Sequence, residues 1–201
     1  MLFKPPENVL LVSAVASELG DLTGHALGVG PIEAGLSMAS LLGQTNPDAV
    51  IFLGSAGLYP GHDELQIGSV IVSERHHWRH AAQVTGDGYV PKPPQPIASA
   101  PHLVRATGLP AVDVVTVSAI TTSPDIATQF SRTAPVEHME AWAVARACEK
   151  VGVPMIAVLG LANIVGPQAH EQWLVHRAEA EKSAQAVVER MVRTGFDRST
   201  D

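Results

Sequence analysis

The sequence predicts a single α/β domain: a three-layer sandwich in which helices flank a central, mostly parallel, twisted sheet. Five short apolar runs rich in Val and Ile lack the two-residue alternation of half-exposed strands, which is typical of strands buried on both faces. Helical patterns lie between these runs. The 201 residues, 46% of them hydrophobic, suffice for one large core, and no second domain boundary is visible.

The apolar runs are the predicted strands, and they cover residues 9–15, 49–53, 67–72, 112–117 and 154–161. The first run also resembles the apolar part of a signal peptide. Because Pro5, Pro6 and Glu7 interrupt its front and the run is short, a buried strand is the favoured interpretation.

Three helices are predicted. Pro31 suits the first turn of a helix that runs to Leu42, with Gly43 as its stop. A second helix covers about 137–150, and a third covers about 168–193 with an apolar stripe on one face.

A proline-rich segment at about 76–110 interrupts the alternation. Its run "PKPPQP" cannot join the interior of a sheet, which predicts a long loop at the rim of a site or at a subunit contact. The segment holds His76, His77 and His80, but no carboxylate or thiolate spacing accompanies them, so no metal site is predicted.

Composition excludes several function classes. The net charge of −7 argues against nucleic acid or an anionic membrane as a partner. No apolar run approaches the roughly 18 residues that a membrane span needs. Cys148 is the only cysteine, so an internal disulfide is impossible, which suits the reducing cytoplasm, and its mid-helix position predicts a core residue.

Three glycine turns mark candidate sites, because ligands of α/β sheets bind where strands end. They are "GVGP" (28–31), "GSAG" (54–57) and "NIVGP" (163–167). The first lacks the third glycine and the acidic residue of a dinucleotide fingerprint, and taken alone each turn is more often geometry than function.

Five segments together resemble the nucleoside phosphorylase and nucleosidase superfamily, in particular its branch of methylthioadenosine/S-adenosylhomocysteine nucleosidases and futalosine hydrolases. In order they read "VLLVSAVASEL", "GVGPIEAGLSMA", "PDAVIFLGSAGLYPGHDELQIGSVIVSE", "VEHMEAWAVARACEKVGVP" and "LGLANIVG". The resemblance implies cleavage of the bond between a purine and a ribose, without a metal or organic cofactor, by a homodimer or larger homo-oligomer. The partner it implies is a small-molecule purine nucleoside.

The resemblance also assigns roles. Glu140 would hold the ribose hydroxyls and Met139 would pack on the sugar, whereas the residues alone also allow Glu140 as an ordinary first-turn carboxylate. Glu18 would activate the attacking water, with Ser55 close by, whereas the residues alone also allow Glu18 only to open a turn. The remaining predicted substrate contacts are Ala56, Gly57, Thr122, Ser123, Glu137 and His138.

Water is the expected nucleophile. Related phosphorylases place arginines at the first glycine turn and before the Gly-Ser turn, whereas Lys4 is the only basic residue before Arg75 here. A phosphate would lack its bidentate partners, unless Arg75, Arg79 or an arginine of another subunit supplied them.

Asn163 occupies the position where the adenine-directed nucleosidases carry an aspartate. An amide can accept from a protonated purine N7 and donate to a 6-oxo group, so Asn163 favours hypoxanthine or guanine, or else only turns the chain. Futalosine hydrolysis, a step of menaquinone biosynthesis, is therefore the preferred expectation, and Trp173 downstream fits it, whereas Ala162 departs from the usual serine. Methylthioadenosine/S-adenosylhomocysteine nucleosidase, purine nucleoside phosphorylase and a non-catalytic nucleoside-binding protein remain alternatives.

Overall fold

The computed structural model describes residues 6–196. Its eight described strands are β1 (Val9–Ser13), β2 (His25–Ala26), β3 (Ala49–Leu58), β4 (Val70–Trp78), β5 (Ile97–Ala98), β6 (Ala111–Thr116), β7 (Val136–His138) and β8 (Met155–Ile164). The helices are α1 (Pro31–Thr45), α2 (Ala81–Thr85), α3 (Pro101–Thr107), α4 (Pro124–Ser131), α5 (Ala141–Val151) and α6 (Ala169–Arg193). The α/β class is as predicted.

The sheet is mixed and closes on itself, which corrects the prediction of a mostly parallel sheet. Strands β3, β8, β4, β6 and β7 pair in a ring, which β1 and β2 extend from β3 and β5 extends from β4. The ring is antiparallel between β4 and β8 and between β3 and β7, and parallel elsewhere. A continuous apolar run indicates that a strand is buried on both faces. Strands in a ring that helices cover are buried on both faces whether they run parallel or antiparallel. The apolar runs therefore do not reveal the direction of the strands.

Helices cover the sheet from both sides, as a three-layer arrangement requires. On one side α1 and α5 bury Met38 and Val144 in a cluster with Phe52 of β3. On the other side α3 and α6 cover the neighbouring residue Ile51 and bury Val188. Because successive strand residues face opposite sides, β3 contributes to both clusters, and it occupies the centre of the fold.

Two predicted helix boundaries are wrong. Helix α1 runs through Gly43 to Thr45, and the next residue, Asn46, takes the left-handed conformation with φ 42° that ends a helix. Helix α5 begins at Ala141 rather than at Glu137, because Val136–His138 pair with β3 and β6 as β7. A three-residue buried strand is too short to show a period in the sequence.

The segment 76–110 is only partly the predicted loop. Strand β4 continues through Trp78, so His76 and His77 are buried in a strand. The segment also contains α2, β5 and α3, while residues 91–96 have no regular structure, as their prolines require. Across residues 6–196, no three His, Cys, Asp or Glu side chains are grouped to hold a metal ion. Nor does any helix within that range have the length and apolarity to cross a bilayer.

Candidate active site

Four predicted site residues meet around the carboxyl end of β3. Glu18 follows β1, Asn163 lies near the end of β8, and Glu140 follows β7. Because β3 pairs with β1, β7 and β8, these three side chains are brought towards Ser55 on β3. Asn163, Glu18 and Glu140 are only 8%, 5% and 4% exposed, so two carboxyl groups and an amide are buried here.

Glu18 lies in a short 3₁₀ turn, Ala16–Leu19, directly after β1. Its Oε2 accepts hydrogen bonds from the backbone N–H groups of Ala14 (3.0 Å) and Val15 (3.2 Å). Its Oε1 accepts from the backbone N–H of Ser55 at 3.2 Å. The carboxylate therefore binds two backbone N–H groups of its own turn, which is the structural role that the sequence allows. It also binds a third N–H group, on β3.

The protonation of Glu18 is set mainly by burial, which raises its pKa to about 7. The hydrogen bonds from Ser55 and Val15 oppose this rise in pKa, whereas the nearby carboxyl groups of Glu140 and Glu181 add to it. A carboxyl group with a pKa near neutrality can accept a proton from water and can also release it.

Gly54 makes room for this carboxylate. A Cβ at position 54 would lie 3.0 Å from Glu18 Oε1 and 3.4 Å from His138 Nε2. The side chains of Glu18 and His138 therefore both pack against the backbone of Gly54. The substrate contacts predicted from the sequence in this turn are residues 55–57. They do not include Gly54, although Gly54 is the first glycine of the "GSAG" turn.

Glu140 is held from two directions. Its Oε1 accepts a 2.7 Å hydrogen bond from the backbone N–H of Gly30, in the first glycine turn. Its Oε2 lies 3.2 Å from His138 Nδ1. The φ of 89° at Gly30 explains why a glycine occupies this turn, whereas nothing near it in the sequence predicts the contact with Glu140.

The contact between Glu140 Oε2 and His138 is not an ion pair. His138 Nδ1 accepts from the backbone N–H groups of Glu140 (3.0 Å) and Ala141 (3.2 Å), so its hydrogen resides on Nε2. Burial lowers the pKa of His138, which keeps the ring neutral. Within the described residues, Oε2 therefore faces an acceptor rather than a donor, and it can accept from a ligand hydroxyl.

Asn163 presents an amide without a hydrogen-bond partner among residues 6–196, although its side chain is buried. It lies opposite Gly57, where the pairing of β3 and β8 shifts register. A Cβ at Gly57 would lie 2.7 Å from Val165 Cγ2 and 3.0 Å from Asn163 Nδ2. Gly57 thus provides space for the amide. The amide atoms keep a small contact with solvent, so a ligand can reach them and pair with them.

The hydroxyl of Ser55 is bound by the indole of α6. Trp173 Nε1 donates to Ser55 Oγ at 3.0 Å, across 118 positions of the sequence. From the sequence, Trp173 is predicted to lie in the apolar stripe of the last helix and to fit the family resemblance. Its contact with Ser55 is not predicted.

Glu137 is oriented differently from its neighbours. Strand residues alternate between faces, so Glu137 points away from the side that His138 faces. Its Oε2 accepts from Tyr59 and its Oε1 accepts from the backbone N–H of Thr121 (3.0 Å). One oxygen thus holds Tyr59, after β3, and the other holds the segment after β6. A contact of Glu137 with substrate stays a prediction.

The other predicted contacts differ in environment. Ser123 caps α4, with its hydroxyl 3.5 Å from the N–H of Ile126, and Ala56 is buried in the core. Thr122 is exposed, and Met139 is half-buried between β7 and α5. Met139 directly precedes the buried Glu140 in the chain.

Neither candidate arginine is free at the site. The Arg75 guanidinium pairs with Asp113 at 2.9 Å. Arg79 donates to the hydroxyl of Thr133 at 3.4 Å. Lys4 lies outside the described residues.

Comparisons with known proteins identify the family. The model of the phosphorylase superfamily matches residues 15–193. The 5'-methylthioadenosine/S-adenosylhomocysteine nucleosidase of Marinomonas sp. is 35% identical over 173 residues, or 76% of this chain and 73% of the relative. The enzyme of that name from Tolumonas auensis is 30% identical over 203 residues, or 87% and 84% of the two chains.

Solved structures share the fold. A nucleosidase of that name from Colwellia psychrerythraea, in complex with adenine, has a TM-score of 0.80 at 21% identity and covers 96% of this chain and 97% of its own. Futalosine hydrolase of Helicobacter pylori has a TM-score of 0.81 at 15% identity, with 92% and 97% covered. The family match, the relatives and the shared fold agree: the chain belongs to the phosphorylase superfamily.

Proposed function

We propose that the chain hydrolyses the N-glycosidic bond of a purine nucleoside. The observation that carries this proposal is the meeting of two buried carboxyl groups, Glu18 and Glu140, with the Asn163 amide at the end of β3. No hydrogen bond within residues 6–196 occupies this amide. The relatives that the chain matches over most of its length are named nucleosidases, which supports the same chemistry.

The proposed mechanism is dissociative. As the glycosidic bond breaks, the ribose becomes cationic, and Glu140 stabilises it through a hydroxyl bound at Oε2. Met139 packs on the sugar. Glu18, with a pKa of about 7, accepts a proton from the water that adds to the ribose carbon. Asn163 binds the departing purine, and Ser55 binds close to the sugar and the water.

Hydrolysis is favoured over phosphorolysis by charge. Arg75 is neutralised by Asp113, and the site of Glu18 and Glu140 is acidic. A phosphate dianion placed there would meet two carboxyl groups, and Arg75 and Arg79 are bound elsewhere, whereas neutral water carries no such cost.

Two classes of nucleoside are candidate substrates. The names of the sequence relatives favour methylthioadenosine and S-adenosylhomocysteine as substrates. Futalosine hydrolase is similar only at the level of the fold, at 15% identity. Methylthioadenosine/S-adenosylhomocysteine nucleosidase is therefore the first candidate.

Futalosine hydrolysis remains the second candidate, and the amide of Asn163 favours it. An amide can donate to the 6-oxo group of hypoxanthine but carries no acidic proton for N7 of adenine. No group among residues 6–196 forms a hydrogen bond that would fix the orientation of the amide, so a 6-oxopurine could pair with both its oxygen and its nitrogen.

One experiment separates these candidates. The protein is incubated with methylthioadenosine, S-adenosylhomocysteine, futalosine and inosine, with and without phosphate, and the bases and sugars are separated by chromatography. Free sugar with adenine supports the first candidate, and free sugar with hypoxanthine from futalosine supports the second. A sugar phosphate would contradict hydrolysis, and nucleoside binding without any product would indicate a non-catalytic protein.

The assembly state stays a prediction. We expect a homodimer or larger homo-oligomer, and α1 exposes Ile32 and Leu36, at 73% and 66%, on a surface that a second copy could cover. Light scattering of the purified protein measures its mass in solution. A cytoplasmic location likewise stays a prediction.

A further inference from the structure

We infer that Trp173 is a positioning residue, whose indole N–H holds the Ser55 hydroxyl so that its hydrogen is directed to the bound nucleoside or to the attacking water. This inference rests on the proposed function and adds a residue of α6 to that site. Trp173 Nε1 lies 3.0 Å from Ser55 Oγ.

The chemistry of the two groups fixes the direction of the bond. An indole N–H can only donate, so Ser55 Oγ is the acceptor and keeps its own hydrogen for another partner. The structure records no acceptor for that hydrogen among the described residues. Ser55 is half-buried, so a ligand at the end of β3 can reach its hydroxyl.

The same residue is fixed at its backbone. The N–H of Ser55 donates to Glu18 Oε1 at 3.2 Å, so Ser55 connects the indole with the proposed base. Holding both the backbone and the hydroxyl of Ser55 leaves it little rotational freedom. A pre-oriented hydroxyl contributes more to a reaction than a freely rotating one.

The indole is itself held in place. The ring of His170 stacks on it with centroids 5.9 Å apart and an angle of 19°, and Arg177 Cζ lies 4.7 Å from the ring centroid. Helix α6 also lies directly on β8, since a Cβ at Gly160 would come 2.2 Å from Ala180 O. The donor is thus carried by a closely packed helix, whose position sets that of the hydroxyl.

The alternative is that Trp173 serves only as an apolar wall, for which a phenyl ring would suffice. A double-mutant cycle distinguishes the two roles. Trp173→Phe, Ser55→Ala and the double variant are compared with wild type for kcat and KM on the nucleoside that wild type cleaves best. Trp78→Phe is the matched control, because the Trp78 ring packs on Trp142 but its indole N–H donates no hydrogen bond within residues 6–196.

We expect Trp173→Phe to lower kcat/KM about tenfold in the wild-type background, mostly through kcat, because one oriented hydrogen bond is lost. In the Ser55→Ala background the same change should have little effect, and Trp78→Phe should retain wild-type activity. Equal losses in both backgrounds, or no loss in either, would overturn the positioning role.

Failure of the proposed function is visible separately. If wild type cleaves no nucleoside, hydrolysis is refuted whatever the variants do. In that case calorimetry measures the dissociation constant of inosine or methylthioadenosine for wild type, the two single variants and the double variant. Coupling between Trp173 and Ser55 in binding would retain the positioning role, and additive effects or absence of binding would overturn it.

Discussion

The backbone N–H of Gly30 donates a 2.7 Å hydrogen bond to Glu140 Oε1, which joins residues 110 positions apart. The bond ties the turn before α1 to the turn before α5. It also fixes one carboxylate oxygen and leaves the other, Oε2, beside the lone pair of His138 Nδ1. The carboxylate is thereby oriented before any ligand arrives, with one oxygen available to a ribose hydroxyl.

Glu140→Gln should retain the bond from Gly30 but lose the negative charge. Because that charge stabilises the cationic ribose, we expect kcat to fall by about 10²–10³ with a smaller change in KM. Steady-state kinetics measure the effect. Glu149→Gln, which changes an exposed carboxylate of the same helix, is the control. Similar kinetics for both variants would exclude Glu140 from the transition state.

Glu18 should control the acidic limb of the pH–activity profile. Since burial raises the pKa of Glu18 to about 7, its carboxyl group is protonated, and unable to accept a proton, at lower pH. We expect kcat/KM to decline below about pH 7. Glu18→Gln should abolish turnover and leave nucleoside binding measurable by calorimetry. Full activity of this variant would remove Glu18 from the mechanism.

The same carboxyl group should make the fold less stable as pH rises. In the unfolded chain Glu18 loses its proton near its ordinary pKa of 4.5, whereas in the folded protein it keeps the proton up to about pH 7. Stability from this group is thus complete below pH 4.5 and declines as pH rises through 7. Denaturant titrations should show a shallower decline for Glu18→Gln. Parallel curves for the two proteins would contradict a raised pKa.

Asn163→Asp should change which base is released. A carboxylic acid can donate a proton to N7 of adenine, so we expect the ratio of kcat/KM for methylthioadenosine over inosine to rise by about tenfold or more. Competition assays with both nucleosides in one mixture measure this ratio directly. An unchanged ratio would show that Asn163 does not contact the base.

Two glycine substitutions should have opposite effects on stability. The methyl group of Gly57→Ala would press on Val165 and Asn163, and we expect a loss of about 1–3 kcal/mol together with reduced activity. Gly43→Ala, in an exposed helical position with no atom within 4 Å of the new Cβ, should gain about 0.5–1 kcal/mol. Thermal and denaturant unfolding measure both. A stable, active Gly57→Ala variant would refute the close packing around Asn163.

The sequence predicts well what depends on local composition. Strands β1, β3, β6 and β8 begin within one residue of the predicted apolar runs, whereas β4 overlaps its run only at 70–72 and continues to Trp78. Pro31 begins α1, and Cys148 is buried. The direction of the strands is not predictable in this way, because β4 and β8 have the same apolar character whether they run parallel or antiparallel.

In the candidate site, motifs likewise predict some residues, whereas other contacts depend on the fold. Glu18, Ser55, Glu140 and Asn163 are identified from their motifs and are brought together by β3. The contribution of Gly30 could not be predicted, because it depends on a backbone N–H brought close by folding. His138 and Glu137 are adjacent in the sequence, and only their place in a strand shows that they face opposite sides.

The most direct test of hydrolysis is to identify the sugar product. Wild-type protein is incubated with the nucleoside that it cleaves best, in phosphate buffer and in phosphate-free buffer, and the sugar is followed by phosphorus and proton NMR. We predict free sugar and free purine at equal rates in both buffers. Sugar 1-phosphate as the product, formed only when phosphate is present, would contradict the assignment of water as the nucleophile.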